Sequence, residues 1–379
     1  VYKRQLTGRA VPAAARPALQ RVLDALPVRL TPHLLELVRS SEAVAAQYLP
    51  DPRELEPAAP SGERVPFAGL LPTGCGAVER LYGDRCVLLP VSACPAYCRF
   101  CFRKFHRHRA RPGPRGFDAL DRALAYVEAH PEICEVLITG GEPALDPERL
   151  EHLLGGLRRI EAVGSIRVAC RALVASPDLI DARLVQLLAA HQQSGDRRVV
   201  ELAAHVNHPD ELTPATDAAL ARLQRAGVHV YSQTVLLAGV NDDAAVLEAL
   251  LRALRRRGVE IYTLYYPEPL FGSDHLRPSL ARARQLKGAL RARISGRANP
   301  RLIVTTRIGK LELGEAEEVE READGRHVWL RTPYSVEAFR AHEPAFELPP
   351  GCRVDAATGW IEARYLDGAA GPSARSNAP

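Results

Sequence analysis

Three cysteines stand close together in Cys94-Pro95-Ala96-Tyr97-Cys98-Arg99-Phe100-Cys101, a C-x3-C-x2-C spacing. Thiolates are soft ligands, suited to zinc or to iron–sulfur centres. A cluster usually takes four protein ligands, so a 4Fe–4S cluster held by these three leaves one iron open to another ligand. Zinc, with His106 or His108 as a fourth ligand, and three unrelated buried thiols are the other readings of the spacing. A second feature, Gly140-Gly141-Glu142-Pro143, follows the apolar run Val136-Leu137-Ile138. Glycines there let backbone groups approach a ligand closely. The remaining cysteines, Cys75, Cys86, Cys134, Cys170 and Cys352, do not form a disulfide framework, because the chain is neither short nor visibly secreted.

These residues need elements to hold them. Short apolar runs at Cys86–Val91, Glu135–Thr139, Ser165–Cys170, Val199–Val206, His229–Leu237 and Glu260–Tyr266 predict strands. Amphipathic stretches at Phe117–Ala129, Pro147–Glu161, Asp178–His191, Pro214–Ala226, Asp243–Arg257 and Leu280–Ile294 predict helices between and after them. Strict strand–helix alternation implies parallel strands with right-handed crossovers. Six such units fit a partial (β/α)6 barrel, an α/β fold in which active residues sit at the C-terminal ends of strands. The cysteine cluster follows the first strand and the Gly-Gly turn follows the second, both at that end.

Around this core, residues 81–295, the reading places a helical and then irregular N-terminal segment (1–80). A small α+β lobe (296–366) and a disordered Gly/Ala/Ser/Pro tail (367–379) follow it. Thr31-Pro32 predicts a helix cap with Pro in the first turn.

Composition narrows the function classes. The 379 residues are 46% hydrophobic and 25% charged with a net charge of +5, which excludes a disordered, collagen-like or coiled-coil chain. No apolar run is long enough to span a bilayer, so no membrane association is expected. Of the 50 basic residues only Lys3, Lys104, Lys287 and Lys310 are lysine. The arginines are spread over helices and balanced by acids, apart from Arg103–Arg115, so no nucleic-acid partner is expected. A cytoplasmic location is expected. The chain starts at Val1 and contains no Met, so it is expected to lack its native start, and the absence of a signal peptide weighs little.

The cysteine spacing after the first strand and the Gly-Gly turn after the second resemble the radical S-adenosylmethionine (SAM) enzymes. Longer stretches narrow this to the lysine 2,3-aminomutase family: Thr31-Pro32-His33-Leu34-Leu35, Tyr82-Gly83-Asp84-Arg85, Cys98 to Phe105, His205-Val206-Asn207-His208-Pro209-Asp210-Glu211, and Gln233 to Asp242. The resemblance implies a 4Fe–4S cluster on Cys94, Cys98 and Cys101 that chelates SAM and cleaves it to an adenosyl radical. It implies pyridoxal 5′-phosphate (PLP) carried on a lysine and migration of an α-amino group to the β-carbon of a lysine-like amino acid. It also implies an electron donor of flavodoxin or ferredoxin type, and it allows a homo-oligomer.

By the same resemblance, Gly140, Gly141 and Glu142 belong to the SAM site and Lys310 carries PLP. Arg85 lies near the PLP phosphate, and Tyr262 and Tyr265 near PLP. His205 and Gln233 match residues of the SAM and PLP pockets, and Arg103 takes the substrate carboxylate. Glu268 and Thr305 align with two aspartates that hold the distal ammonium of lysine, so one carboxylate survives, as Glu268. Two further readings are a lysine aminomutase acting in elongation-factor-P modification and a radical SAM enzyme without PLP.

Overall fold

The structure, a computed structural model, describes residues 12–55, 73–105, 116–192, 198–314 and 318–368. His106, His108, Arg107, Arg109 and most of the expected tail lie outside the described residues. The N-terminal part holds helices Arg16–Ala25, Pro32–Ser40 and Glu42–Tyr48. The second starts as its sequence predicts: the Thr31 hydroxyl accepts from Leu34 N at 3.1 Å, and Pro32 occupies the first turn, where its missing N–H costs nothing.

Nine strands then form one sheet in chain order: β1 (Val78–Arg80), β2 (Arg85–Val91), β3 (Glu135–Gly140), β4 (Ser165–Cys170), β5 (Val199–His205), β6 (His229–Val235), β7 (Glu260–Tyr265), β8 (Arg301–Thr306) and β9 (Gly309–Glu312). Strands β2 to β8 are parallel, while β1 and β9 run antiparallel at the two edges. The sheet curls into a half-barrel: Tyr82, beside the first edge, accepts a hydrogen bond from Lys310 N on the last strand at 2.8 Å.

Period-two burial explains how each strand is used. Leu88, Ile138, Val168, Leu202 and Val230 face the helices in one continuous apolar core. Each fully buried side chain of this kind contributes roughly 1.5–3 kcal/mol. The alternate positions, among them Arg85, Arg167, His205, Gln233 and Thr305, face the concave side. Helices Phe117–Glu128, Pro147–Leu157, Ala182–Ala190, Pro214–Arg225, Ala244–Arg256 and Leu280–Arg291 cover the outside. Among the described residues no helix is long and apolar enough to cross a membrane.

The C-terminal boundary differs from the sequence reading. Arg301–Thr306, expected in a separate lobe, is the seventh parallel strand, pairing with β7 from Thr263 opposite Arg301. A two-residue turn at Arg307-Ile308, rather than a helix, returns the chain as β9. The strand–helix alternation that marked the earlier units is therefore missing here. The appended lobe proper is a four-stranded antiparallel sheet of β10 (Glu318–Arg321), β11 (His327–Ser335), β12 (Cys352–Val354) and β13 (Trp360–Leu366), in the order β10-β11-β13-β12. Asp367 and Gly368, assigned to the tail, are packed instead: the Asp367 carboxylate accepts from Leu280 N at 2.7 Å and Gly368 N donates to the Tyr266 hydroxyl at 2.9 Å.

Candidate active site at the mouth of the half-barrel

Cys94, Cys98 and Cys101 lie on the loop that leaves β2 after Val91, at the C-terminal edge of the sheet. Gly141 N donates to Val91 O at 2.7 Å and Glu142 N to Ala93 O at 2.9 Å. A Cβ on Gly141 would sit 2.1 Å from Ala93 O, and one on Gly140, where φ is +112°, 2.8 Å from Val91 O. The close approach these glycines permit is therefore between the end of β3 and the backbone leading to Cys94. From the other side the N-terminal segment grips the same loop, with Tyr97 N donating to Arg29 O and Arg99 N to Gln47 O.

Arg99, Arg103 and Lys104 of this loop are buried. Arg99 is 3% exposed and its guanidinium forks onto Glu54, with Nε–Oε1 at 2.9 Å and Nη2–Oε2 at 2.5 Å. Lys104 donates to the carbonyls of Gly272 at 2.7 Å and Arg99 at 3.1 Å, and burial lowers its pKa to about 8. Arg103 is 5% exposed and gives both terminal nitrogens to the carboxylate of Glu79, with its guanidinium over the Phe102 ring.

Glu142 is fully engaged by backbone donors. Its Oε2 accepts from Arg171 N at 2.8 Å and Ala172 N at 2.7 Å, and Oε1 from Ala144 N at 3.3 Å, so it ties the end of β3 to the end of β4. Arg171, just past β4, is the hub of a buried network that the sequence reading missed. It donates to the Tyr48 hydroxyl at 2.9 Å, Gln47 Oε1 at 2.9 Å, His205 O at 2.8 Å and Glu211 Oε1 at 2.5 Å.

His205 closes β5 on the concave face, its Nε2 3.0 Å from Asn207 Oδ1 and its ring 5.4 Å from Phe100 of the cysteine loop. Burial, then the Arg171 charge, push its pKa down to about 3, so it is neutral at working pH. Gln233 is its register partner on β6. Asn241 donates to Asn207 O and Val235 O, which locks together the family-like segments at the ends of β5 and β6.

Lys310 lies at the far edge, in β9 beside Thr305. The residue is exposed, and its Nζ lies 3.3 Å from the Tyr265 hydroxyl and 4.8 Å from that ring's centre. Burial pulls its pKa down, but the Tyr265 and Tyr82 hydroxyls and the Glu268 carboxylate outweigh this and leave it raised. The backbone is pinned from both sides, since the Tyr334 hydroxyl donates to Lys310 O at 2.6 Å. A Cβ on the preceding Gly309 would meet the Tyr334 ring at 2.7 Å, so glycine is required even in this short turn.

Arg85 stacks over Tyr82, 3.9 Å from the ring centre, with Asp84 at 3.2 Å. Burial raises the Glu268 pKa to about 7 against the pull of Lys310, Arg103 and Arg277. Lys310 thus lies against Tyr265 and Tyr82, Tyr82 also carries Arg85, and the charges of Lys310 and Arg103 are felt by Glu268. Tyr262 is separate, 37% exposed and edge-on to Tyr231 at 5.3 Å. Arg171 was findable, because it stands directly after a barrel strand; Glu79 and Tyr334 carry no local signal.

The radical SAM superfamily model matches residues 88–250. A putative L-lysine 2,3-aminomutase of Aquifex aeolicus is 31% identical over 325 residues, covering 83% of this chain and 84% of that protein. The L-lysine 2,3-aminomutase of Acetoanaerobium sticklandii is 32% identical over 292 residues, 76% of this chain and 68% of that one. That of Clostridium subterminale is 28% identical over 341 residues, 89% and 80% respectively.

Proposed function

Because the chain belongs to the lysine 2,3-aminomutase family of radical SAM enzymes, we propose that it is a PLP-dependent amino-acid 2,3-aminomutase acting on a lysine-like substrate. The observation that carries this reading is the Lys310 amine, 3.3 Å from the Tyr265 hydroxyl, in the half-barrel whose mouth bears the three cysteines. The donor set fits the groups the family uses: three thiols on one loop for the cluster, and a lysine amine with an arginine nearby for an aldehyde-bearing phosphate ester. When bound, the cluster with SAM supplies a hydrogen-abstracting radical and PLP supplies an electron-delocalising ring.

The protein's own residues bind, orient and exclude. Cys94, Cys98 and Cys101 would hold the cluster, and Phe100 of the same loop packs against neutral His205. Lys310 would anchor PLP, and a half-exposed Arg85 guanidinium suits its phosphate. Glu268, whose carboxyl burial raises to about 7, would pair with a substrate ammonium. Arg103 would hold the substrate carboxylate.

The test is anaerobic reconstitution with iron, sulfide, SAM and PLP, followed by an amino-acid screen for β-amino acids. Lys310→Ala should lose the PLP absorbance and the β-amino acid while still forming 5′-deoxyadenosine. A wild-type protein that forms 5′-deoxyadenosine but never acquires a lysine-dependent PLP absorbance would overturn the PLP assignment.

A further inference from the structure

We infer that Glu79 is a positioning residue that turns the Arg103 guanidinium so that its Nε edge faces the carboxylate of the bound amino acid. The inference rests on the amino-acid substrate proposed above.

Glu79 is the middle residue of β1 and pairs with Val87 of β2. Both are half-buried on the concave side, while Val78 and Arg80 point outward, Val78 into the apolar core and Arg80 to Glu132. The Glu79 carboxylate takes Nη1 at 2.6 Å through Oε1 and Nη2 through Oε2, so the end of the guanidinium is fully used. Phe102 covers one face of the guanidinium plane at 4.9 Å.

What remains is the side edge. Arg103 is 5% exposed, yet its Nε–H is buried and has no acceptor. Leaving a buried donor unmade is costly, and a ligand oxygen on that edge removes the cost. A guanidinium carries five N–H donors in a rigid fork, so one carboxylate can hold the end while a second takes the side.

Charge sets the class of the second anion. The Glu79–Arg103 pair is already neutral, which suits a monoanionic carboxylate and disfavours a phosphate dianion beside Glu79. With the end of the guanidinium held by Glu79, the Nε edge is the one left for the substrate carboxylate that Arg103 takes in the proposed reading.

The experiment compares two probes on the anaerobically reconstituted protein without reductant: L-lysine and its decarboxylated counterpart cadaverine, with Kd measured by calorimetry. Wild type should bind L-lysine roughly 10- to 100-fold tighter than cadaverine, the range for a charge-assisted pair of hydrogen bonds. Glu79→Gln should cut that ratio by about tenfold and leave the cadaverine Kd unchanged, which shows the site intact. Arg103→Lys should do the same, and the double variant should add little more.

An unchanged ratio in Glu79→Gln overturns the inference. So does a larger ratio, which would make Glu79 a competitor for Arg103, and so does an equal weakening of both probes, which a merely structural role would give. Equal wild-type affinity for the two probes removes the carboxylate contact itself. Wild-type binding of neither probe instead strikes the lysine-like substrate reading on which the inference stands.

Discussion

Replacing Glu268 by glutamine separates what this side chain does for binding from what it costs the fold. Its carboxyl goes from an ordinary 4.5 to about 7 in the folded protein, chiefly through burial. A raised acid pKa means the folded state holds the proton more tightly than the unfolded chain. The associated stability is fully present below pH 4.5 and declines as pH rises to about 7. At 1.36 kcal/mol per pH unit, this costs up to about 3 kcal/mol by pH 8. Glutamine does not titrate. Glu268→Gln should therefore match wild type in urea unfolding near pH 5 and exceed it near pH 8, in protein free of amino acid. The same substitution should weaken amino-acid binding, because the ammonium loses its carboxylate partner. A stability difference that is the same at both pH values would refute the reasoning, and so would a variant that binds the amino acid as tightly as wild type.

Gly141→Ala should destroy cluster assembly, read as iron and sulfide per chain, because its Cβ would lie 2.1 Å from Ala93 O and push the loop off β3. Glu142→Ala strands backbone N–H groups of Arg171 and Ala172 that it now satisfies; at ~1–3 kcal/mol per buried unmade donor, thermal melting should fall by several degrees even without cofactors. Glu211→Gln leaves the Arg171 cation underpaired and should cost about 3–5 kcal/mol, measured by chemical denaturation. His205, neutral down to about pH 3, should contribute no step to the activity profile between pH 6 and 9; a step in wild type that disappears in His205→Gln would contradict this.

The parallel strands were legible because each buries alternate residues against an amphipathic helix, and that pattern is local. Six strands from β2 to β7 stand within two residues of where the apolar runs placed them. The reading failed where local pattern and tertiary role part. Arg301–Thr306 is followed by a two-residue turn instead of a helix, and nothing in its own residues says that it hydrogen-bonds to β7. The three residues of β1 are too few to show a period at all.

The site divides the same way. Cysteines and glycines are legible because their chemistry depends on residue type and spacing along one stretch. Partners depend on the fold: Arg103 finds Glu79 from 24 positions away, and Lys310 N finds the Tyr82 hydroxyl from 228. In the Gly-Gly turn the residue type was legible and its backbone partner was not. The reason to expect glycine, close approach, holds, and one approaching group is the backbone of Ala93. Glu142 likewise has partners that its own stretch does not announce, the amides of Arg171 and Ala172. Because the turn holds the loop leading to Cys94 through Gly141 N and Glu142 N, damage to it should appear in cluster assembly as well as in turnover.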